Sequence, residues 1–271
     1  MINMKKKYRR KVSAVKNAIF CTLVYIFLFL PISVIVVNSA NSTTTKPYLK
    51  WKGFTLDWYV KLFDNTALLE SFRNTMIIAV VSTLLATIIG TLGAVGMYRY
   101  KFRGKSLIDG LLYIPVVIPE IVLGISLLTV FSKASIPRGM LTLILAHVTF
   151  SVPFVIFNVR ARLAGYDVSI DEASMDLGAN RRQTFFRITL PVLAQGIGGG
   201  ALLAFTLSID DIIISYFVNG QVKTYPLKVM ESIKSGVSPD VNALSTLILI
   251  GTIAFVILTQ SGIFIKKEKQ G

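Results

Sequence analysis

The chain has 271 residues, 53% of them hydrophobic, with a mean hydropathy of +0.65 and a formal net charge of +15. It is too apolar for an ordinary water-soluble domain, and its uncharged blocks of about 20 residues are long enough to cross about 30 Å of hydrocarbon as helices. The excess of Lys and Arg flanks these blocks and favours alternate loops, which speaks against nucleic acid as a partner, and a single cysteine, Cys21, excludes an internal disulfide framework.

A basic segment, residues 1–17, precedes a first apolar block at about 18–37. That block exceeds the roughly 7–15 residues of a signal core, and no small-x-small cleavage site follows, so it reads as an uncleaved anchor. Further spans are expected at about 75–98, 107–131, 140–159, 192–218 and 243–265, before a tail at 266–271. The fold class is therefore an all-α membrane protein, a six-helix bundle over residues 18–265. With the N-terminus inside the cell, the inner segments hold 19 Lys and Arg and the outer segments 10, which predicts that both termini are cytoplasmic.

The segment after the first span turns aromatic at Trp51, Phe54, Trp58, Tyr59 and Phe63. Thr55 can cap a short helix from Leu56, lying along the outer surface with its aromatics at headgroup level. An aromatic box for a cation is the other reading. Between the second and third spans, Tyr98 to Ser106 interleaves aromatic and basic residues that suit a span end, where long basic side chains reach the phosphates. Gly104-Lys105-Ser106 resembles the end of a phosphate loop, but Arg99 stands where its first glycine belongs.

The loop at about 160–191 carries more information. Ser169 and Glu172 fit a capping box, and Asp171 and Glu172 suit the positive end of a helix. Ile170, Ala173, Ser174 and Leu177 share one face at helical spacing. Gly178 reads as a left-handed stop, Asn180 and Gln183 as the cap of a second helix carrying Phe185, Phe186 and Ile188, and Pro191 as the start of the fifth span. A rigid, small-faced helix pair between two membrane spans implies a partner in water.

Ionisable residues within spans mark pathways. Glu120 lies near the middle of the third span, behind Pro115 and Pro119. Asp210 and Asp211 lie roughly 28 Å up a continuous fifth helix at about 1.5 Å per residue. Carboxylates along a wet path would suit a polycation. They could equally sit at the interface or pair with a cation of a partner. His147 reads as a hydrogen-bonded packing residue, and as the sole histidine it offers no metal site. Gly196 and Gly200 permit close helix approach within the bundle.

The run Glu172-Ala173-Ser174, three residues, Gly178, nine residues, Ile188-Thr189-Leu190-Pro191 resembles the EAA loop of ABC importer permeases, with Ser174 in place of the second alanine. Runs at Tyr98–Lys105, His147–Phe154, Leu207–Asp211 and Gly236–Leu244 extend the likeness, which is to the C-type permease subunits of spermidine/putrescine importers. The resemblance implies a type I importer bundle whose coupling helix seats in a groove of the ATP-binding subunit. Glu172, Ala173, Ser174, Gly178, Ile188, Leu190 and Pro191 would carry that coupling. It further implies an ATP-binding subunit dimer, a second homologous permease and an external substrate-binding protein. No cofactor and no covalent chemistry are expected of this chain. Two alternatives remain at this point: an ABC permease for another solute such as iron, phosphate or thiosulfate, and a proton-coupled carrier using Glu120 and Asp211 as a relay. No internal repeat of the kind such carriers show is evident.

Overall fold

The computed structural model describes residues 2–44 and 50–268. Lys46, counted above among the outer basic residues, and residues 269–271 of the expected tail lie outside the described residues. The chain divides into two compact units, one holding residues up to Thr66 together with those from Glu231 onward, the other Ala67–Met230.

In the first unit, α1 (Ile2–Ser39) packs on α12 (Pro239–Glu268). The apolar stretch of α1, Val15–Ser39, is exposed throughout nearly its whole length, as expected of a helix whose solvent is lipid. A short helix, α2 (Asp57–Lys61), runs into a tight turn at Leu62–Asp64 and also packs on α12. The Asn65 side-chain amide donates to Asp240 Oδ2 at 2.6 Å. Thr55 Oγ1 accepts the Asp57 N–H at 3.1 Å, but the helix starts at Asp57 behind Leu56, so Thr55 stands one residue before the cap position expected of it.

The second unit is built on α3 (Thr66–Arg99), α6 (Met140–Leu163) and α9 (Leu190–Asp210). Small residues set their spacing. A Cβ on Gly90 would lie 2.7 Å from the Val155 side chain, and one on Gly200 would lie 3.0 Å from the Val155 backbone. Gly196 approaches Arg162 and Asn158 in the same way. The glycine pair of the fifth span thus serves packing of α9 on α6, within the chain. Ala86, Ala94, Val155, Val159, Leu163 and Leu193 fill this contact, and a second cluster around Ile78, Leu143, Phe150 and Ile214 fills the other end.

Two expected spans are interrupted. The third breaks into α4 (Lys105–Val117) and α5 (Glu120–Lys133), bent by 114°. Pro119 removes a donor, and the preceding Ile118 is extended (φ −71°, ψ 137°), the conformation a proline imposes on its predecessor. Glu120 is therefore the first residue of a helix and not the middle of one. The fifth expected span ends at Asp210, and Ile213–Val218 forms a separate helix, α10, packed on α5 and α6, with α11 (Tyr225–Ser235) following it in the chain. Asp211 is extended (φ −62°, ψ 124°) and ends the longer helix. Among the described residues, four helices are long and apolar enough to cross a membrane, and five if α4 and α5 count as one bent span. The expected sixth span falls in α12, whose apolar stretch is described over Pro239–Ala254.

Candidate functional site

Two polar constellations lie at opposite ends of α9. The first is the loop between α6 and α9. Beyond Leu163 the chain turns, and Asp167 Oδ1 accepts the Ser169 N–H at 2.9 Å. That bond holds the exposed Asp167 carboxyl below the usual carboxylate range. Helix α7 (Ser169–Asp176) starts here, and this corrects the predicted capping box of Ser169 and Glu172. Val168 is already helical (φ −64°, ψ −24°), which puts Ser169 inside the helix, where its hydroxyl cannot act as the cap. The turn is closed by Asp167 instead.

Asp171 is buried and binds three partners. Its Oδ2 accepts from Arg99 Nη2, at the end of α3. Its Oδ1 accepts from Tyr166 Oη at 2.6 Å and from Thr189 Oγ1 at 2.9 Å. Arg99 Nη2 also donates to Thr189 Oγ1 at 2.7 Å. Burial, then the bond to Asp171, pushes the Tyr166 phenol above its ordinary range. One carboxylate thereby joins α3, α7 and the entry to α9. Sequence reasoning placed Asp171 at the positive helix end and missed this role. The available signal was Arg99, a basic residue at a span end, together with a threonine inside the Ile188–Pro191 motif.

Helix α7 ends at Gly178, whose φ of +91° lies in the left-handed region. The Gly178 N–H donates to Met175 O at 2.9 Å, and the Ala179 N–H to Ser174 O at 3.1 Å. A Cβ on Gly178 would meet nothing within 4 Å, so only the backbone demands glycine here. The second helix, α8 (Arg181–Thr184), has the predicted reciprocal cap: Asn180 Oδ1 accepts the Gln183 N–H at 2.9 Å, and Gln183 Oε1 accepts the Asn180 N–H at 2.8 Å. Ser174 is buried and its hydroxyl lies 3.2 Å from Thr184 Oγ1, tying α7 to α8.

The predicted face of α7 therefore divides. Ser174 turns inward, whereas Ile170, Ala173 and Leu177 are exposed, Leu177 by 90%. Glu172 is exposed beside them. From α8 the helix continues through a wide π turn, Phe185–Thr189, into α9. Pro191 has no N–H to offer the Arg187 carbonyl and its ring crowds that oxygen, so the preceding turn widens. Ile188 and Leu190 are half-buried on this turn.

The second constellation surrounds a cavity of ≈ 330 Å³ between α4, α5, α6, α9 and α10. Glu120, Asp210 and Asp211 all line it, with Pro115, Phe150 and Phe154. Their roles differ. Asp211 is buried and caps α10: its oxygens accept the Ile214 N–H at 3.2 Å and the Ser215 N–H at 2.7 Å. Its Oδ2 also lies 3.4 Å from His147 Nε2. His147 is 1% exposed and bonds to Ser208 Oγ at 2.6 Å and Ser215 Oγ at 3.0 Å, the packing role expected of it. Ser208 in turn lies 3.2 Å from Ser82 of α3. Glu120 and Asp210 are exposed. A Cβ on Gly124 would lie 2.6 Å from the Phe217 ring, so α5 and α10 are locked together beside the cavity. Among the described residues, no group of three His, Cys, Asp or Glu is arranged to hold a metal ion.

Comparison with known proteins bears on both sites. The model of the binding-protein-dependent transport system inner membrane component family matches residues 82–266, which include both constellations. The spermidine/putrescine transport system permease protein PotC of Escherichia coli (strain K12) is 42% identical over 242 residues, covering 89% of this chain and 91% of that one. The putrescine transport system permease protein PotI of the same strain is 39% identical, covering 86% and 85%. Among solved structures, a bacterial ABC transporter involved in the import of the acidic polysaccharide alginate aligns over 93% of this chain and 96% of its own with a TM-score of 0.73. At 15% identity that likeness speaks for the fold alone. The chain is thus a multi-pass membrane protein and belongs to the family of binding-protein-dependent transport system inner membrane components.

Proposed function

We propose that the chain is a membrane-spanning permease subunit of an ATP-driven importer whose cargo is a polyamine such as spermidine or putrescine. The observation that carries this reading is identity of 42% to a spermidine/putrescine permease protein across 89% of the chain. In this reading both termini face the cytoplasm. The loop between α6 and α9 then projects into the cytoplasm and docks on an ATP-binding subunit dimer. Its exposed face, with Glu172, Ala173 and Leu177, is the contact. Ser174 and Gly178 keep the hairpin shaped, and Ile188, Leu190 and Pro191 carry displacement into α9. Burial of Leu177 against a partner would contribute about 2 kcal/mol, which favours docking over leaving it in water.

A second, homologous permease completes the pore, and an external binding protein delivers the cargo. Closure of the ATP-binding dimer moves the hairpin, and Asp171 passes that motion to α3 through Arg99. The paired bundles rock between outward-facing and inward-facing states. Along the path Glu120 and Asp210 offer charge to a polycation, while Asp211 holds the wall that presents them. Their acidity favours this cargo over an anion. ATP hydrolysis belongs to the separate subunit, and the chain itself makes and breaks no covalent bond.

The test is uptake of radiolabelled spermidine and putrescine into vesicles holding all subunits, with competing amines and anions. ATP-dependent uptake suppressed by amines alone supports the proposal. Uptake that persists without the ATP-binding subunit and follows a proton gradient overturns it.

A further inference from the structure

The segment between α1 and α3 has three stripes. Leu56, Val60 and Phe63 recur at helical spacing along α2 and the turn after it, and they are exposed by 57%, 71% and 70%. Tyr59 and Leu62 occupy the opposite side: Tyr59 Oη lies 2.7 Å from Ser39 Oγ, and Leu62 is buried. Asp57, Lys61 and Asp64 form an exposed polar edge between them. A helix apolar on two sides and polar on one edge is not arranged for water.

Its height is fixed by a second observation. Asn41, two residues past the end of α1, forms an antiparallel bridge with Phe54. Ser42 N donates to Gly53 O at 2.9 Å, Thr55 N to Ala40 O at 2.8 Å, and Trp58 Nε1 to Asn41 O at 2.8 Å. The buried Asn41 side chain bonds to Lys50 O and Lys52 N at 3.0 Å each. These bonds hold the backbone at Trp51 and Phe54 beside Asn41, which lies about 7 Å past the end of α1 at about 3.3 Å per residue. The last two turns of α1 still present exposed Val34, Ile35, Val36 and Val37. The exposed apolar residues of α1 end at Val37, and exposed Trp51, Phe54, Leu56, Val60 and Phe63 follow in the segment tied to its end.

We propose that Trp51, Phe54, Leu56, Val60 and Phe63 form a shelf that inserts into the headgroup–acyl boundary of the bilayer at the end of α1, with Asp57, Lys61 and Asp64 facing water. Aromatic and branched apolar groups beside a polar edge are the chemistry of that boundary. The shelf fixes the depth of α1 and does not depend on the cargo.

Trp51 and Trp58 are the two tryptophans of the chain, so Trp58→Phe leaves Trp51 as the reporter. The full chain is reconstituted into vesicles of phosphatidylcholine and phosphatidylglycerol brominated either near the head or near the end of the acyl chain. Trp51 emission should shift to the blue, fall strongly with the shallow bromines, fall little with the deep ones, and resist aqueous acrylamide. Free quenching by acrylamide with no effect of either bromine would overturn the shelf, showing a water-facing patch. Resistance to all three quenchers would also overturn it, showing a protein cover. Were Trp58→Phe not to reach the membrane, the difference between the unsubstituted chain and Trp51→Phe supplies the same readout.

Discussion

At one end of α9, Asp171 turns inward and its neighbour Glu172 turns outward. At the other end, Asp211 turns inward and its neighbour Asp210 turns outward. In both places the inward carboxylate joins elements, and the outward one is left to meet something else. The partners differ. Asp171 faces a guanidinium and two hydroxyls gathered from three elements. Asp211 faces two backbone N–H groups of the helix it starts, with a histidine beside them. The first node joins three separate elements, and the second keeps a single wall in shape. A pair of adjacent acidic residues is therefore poorly described as a pair.

The comparison breaks most readily at Asp171. Asp171→Leu leaves the Arg99 guanidinium, the Tyr166 phenol and the Thr189 hydroxyl without their acceptor, and loss of one partner from such a pair costs about 3 kcal/mol. Thermal unfolding in detergent should show it, together with loss of assembly with the ATP-binding subunit. An unchanged melting temperature would remove the node from the mechanism. Asp211→Asn should cost less, about 1 kcal/mol, because the amide oxygen still accepts one of the two α10 N–H groups. Equal losses at the two aspartates would erase the difference between the two nodes.

Gly178→Val separates shape from packing. No neighbour obstructs the new side chain, but a β-branched residue at φ +91° strains the backbone by about 1–2 kcal/mol. Uptake should fall several-fold while the subunit still reaches the membrane, and ATP hydrolysis should continue without it. Unchanged uptake would speak against the hairpin as the lever. The smallest effect on stability is expected at the outward carboxylates. Glu120→Gln and Asp210→Asn should shift unfolding by no more than about 0.5 kcal/mol, yet polyamine uptake should drop. A large melting shift with intact uptake would make them structural groups.

Acid sharpens the same contrast at the loop. Asp167 has its carboxyl lowered by the Ser169 N–H, so its contribution is complete above the usual carboxylate range and is lost as pH falls below that range. Protection of the Ser169 N–H against hydrogen exchange, taken relative to the intrinsic rate at each pH, should fall there, and Asp167→Ala should abolish that pH step. A step that survives the substitution belongs to another group.

Much of this was legible in the sequence. Apolar block length located the long helices, and Gly178, Asn180 and Gln183 announced the hairpin because turn and cap chemistry is local. The break before Glu120 was half legible. Pro115 and Pro119 were visible, but whether a proline kinks a span or splits it depends on what packs beside it, here Phe217 against Gly124. The inward turn of Asp171 was not legible, because its partners lie 72, 5 and 18 residues away in sequence. Asp167 displaced Ser169 as the start of α7 because both can accept an N–H, and the backbone conformation of Val168 decides between them.

The wide turn at Phe185–Thr189 has one more effect. An ordinary helix advances about 100° per residue, and a π turn accommodates one residue more than the α register allows. Removing a single residue there would restore the α register and leave the hairpin pointing nearly as it does, with Gly196 and Gly200 still seated on α6. The wide turn thus tolerates a change of length that the rest of the span does not. A one-residue deletion past Pro191, where no wide turn absorbs it, would instead turn the hairpin by about 100°.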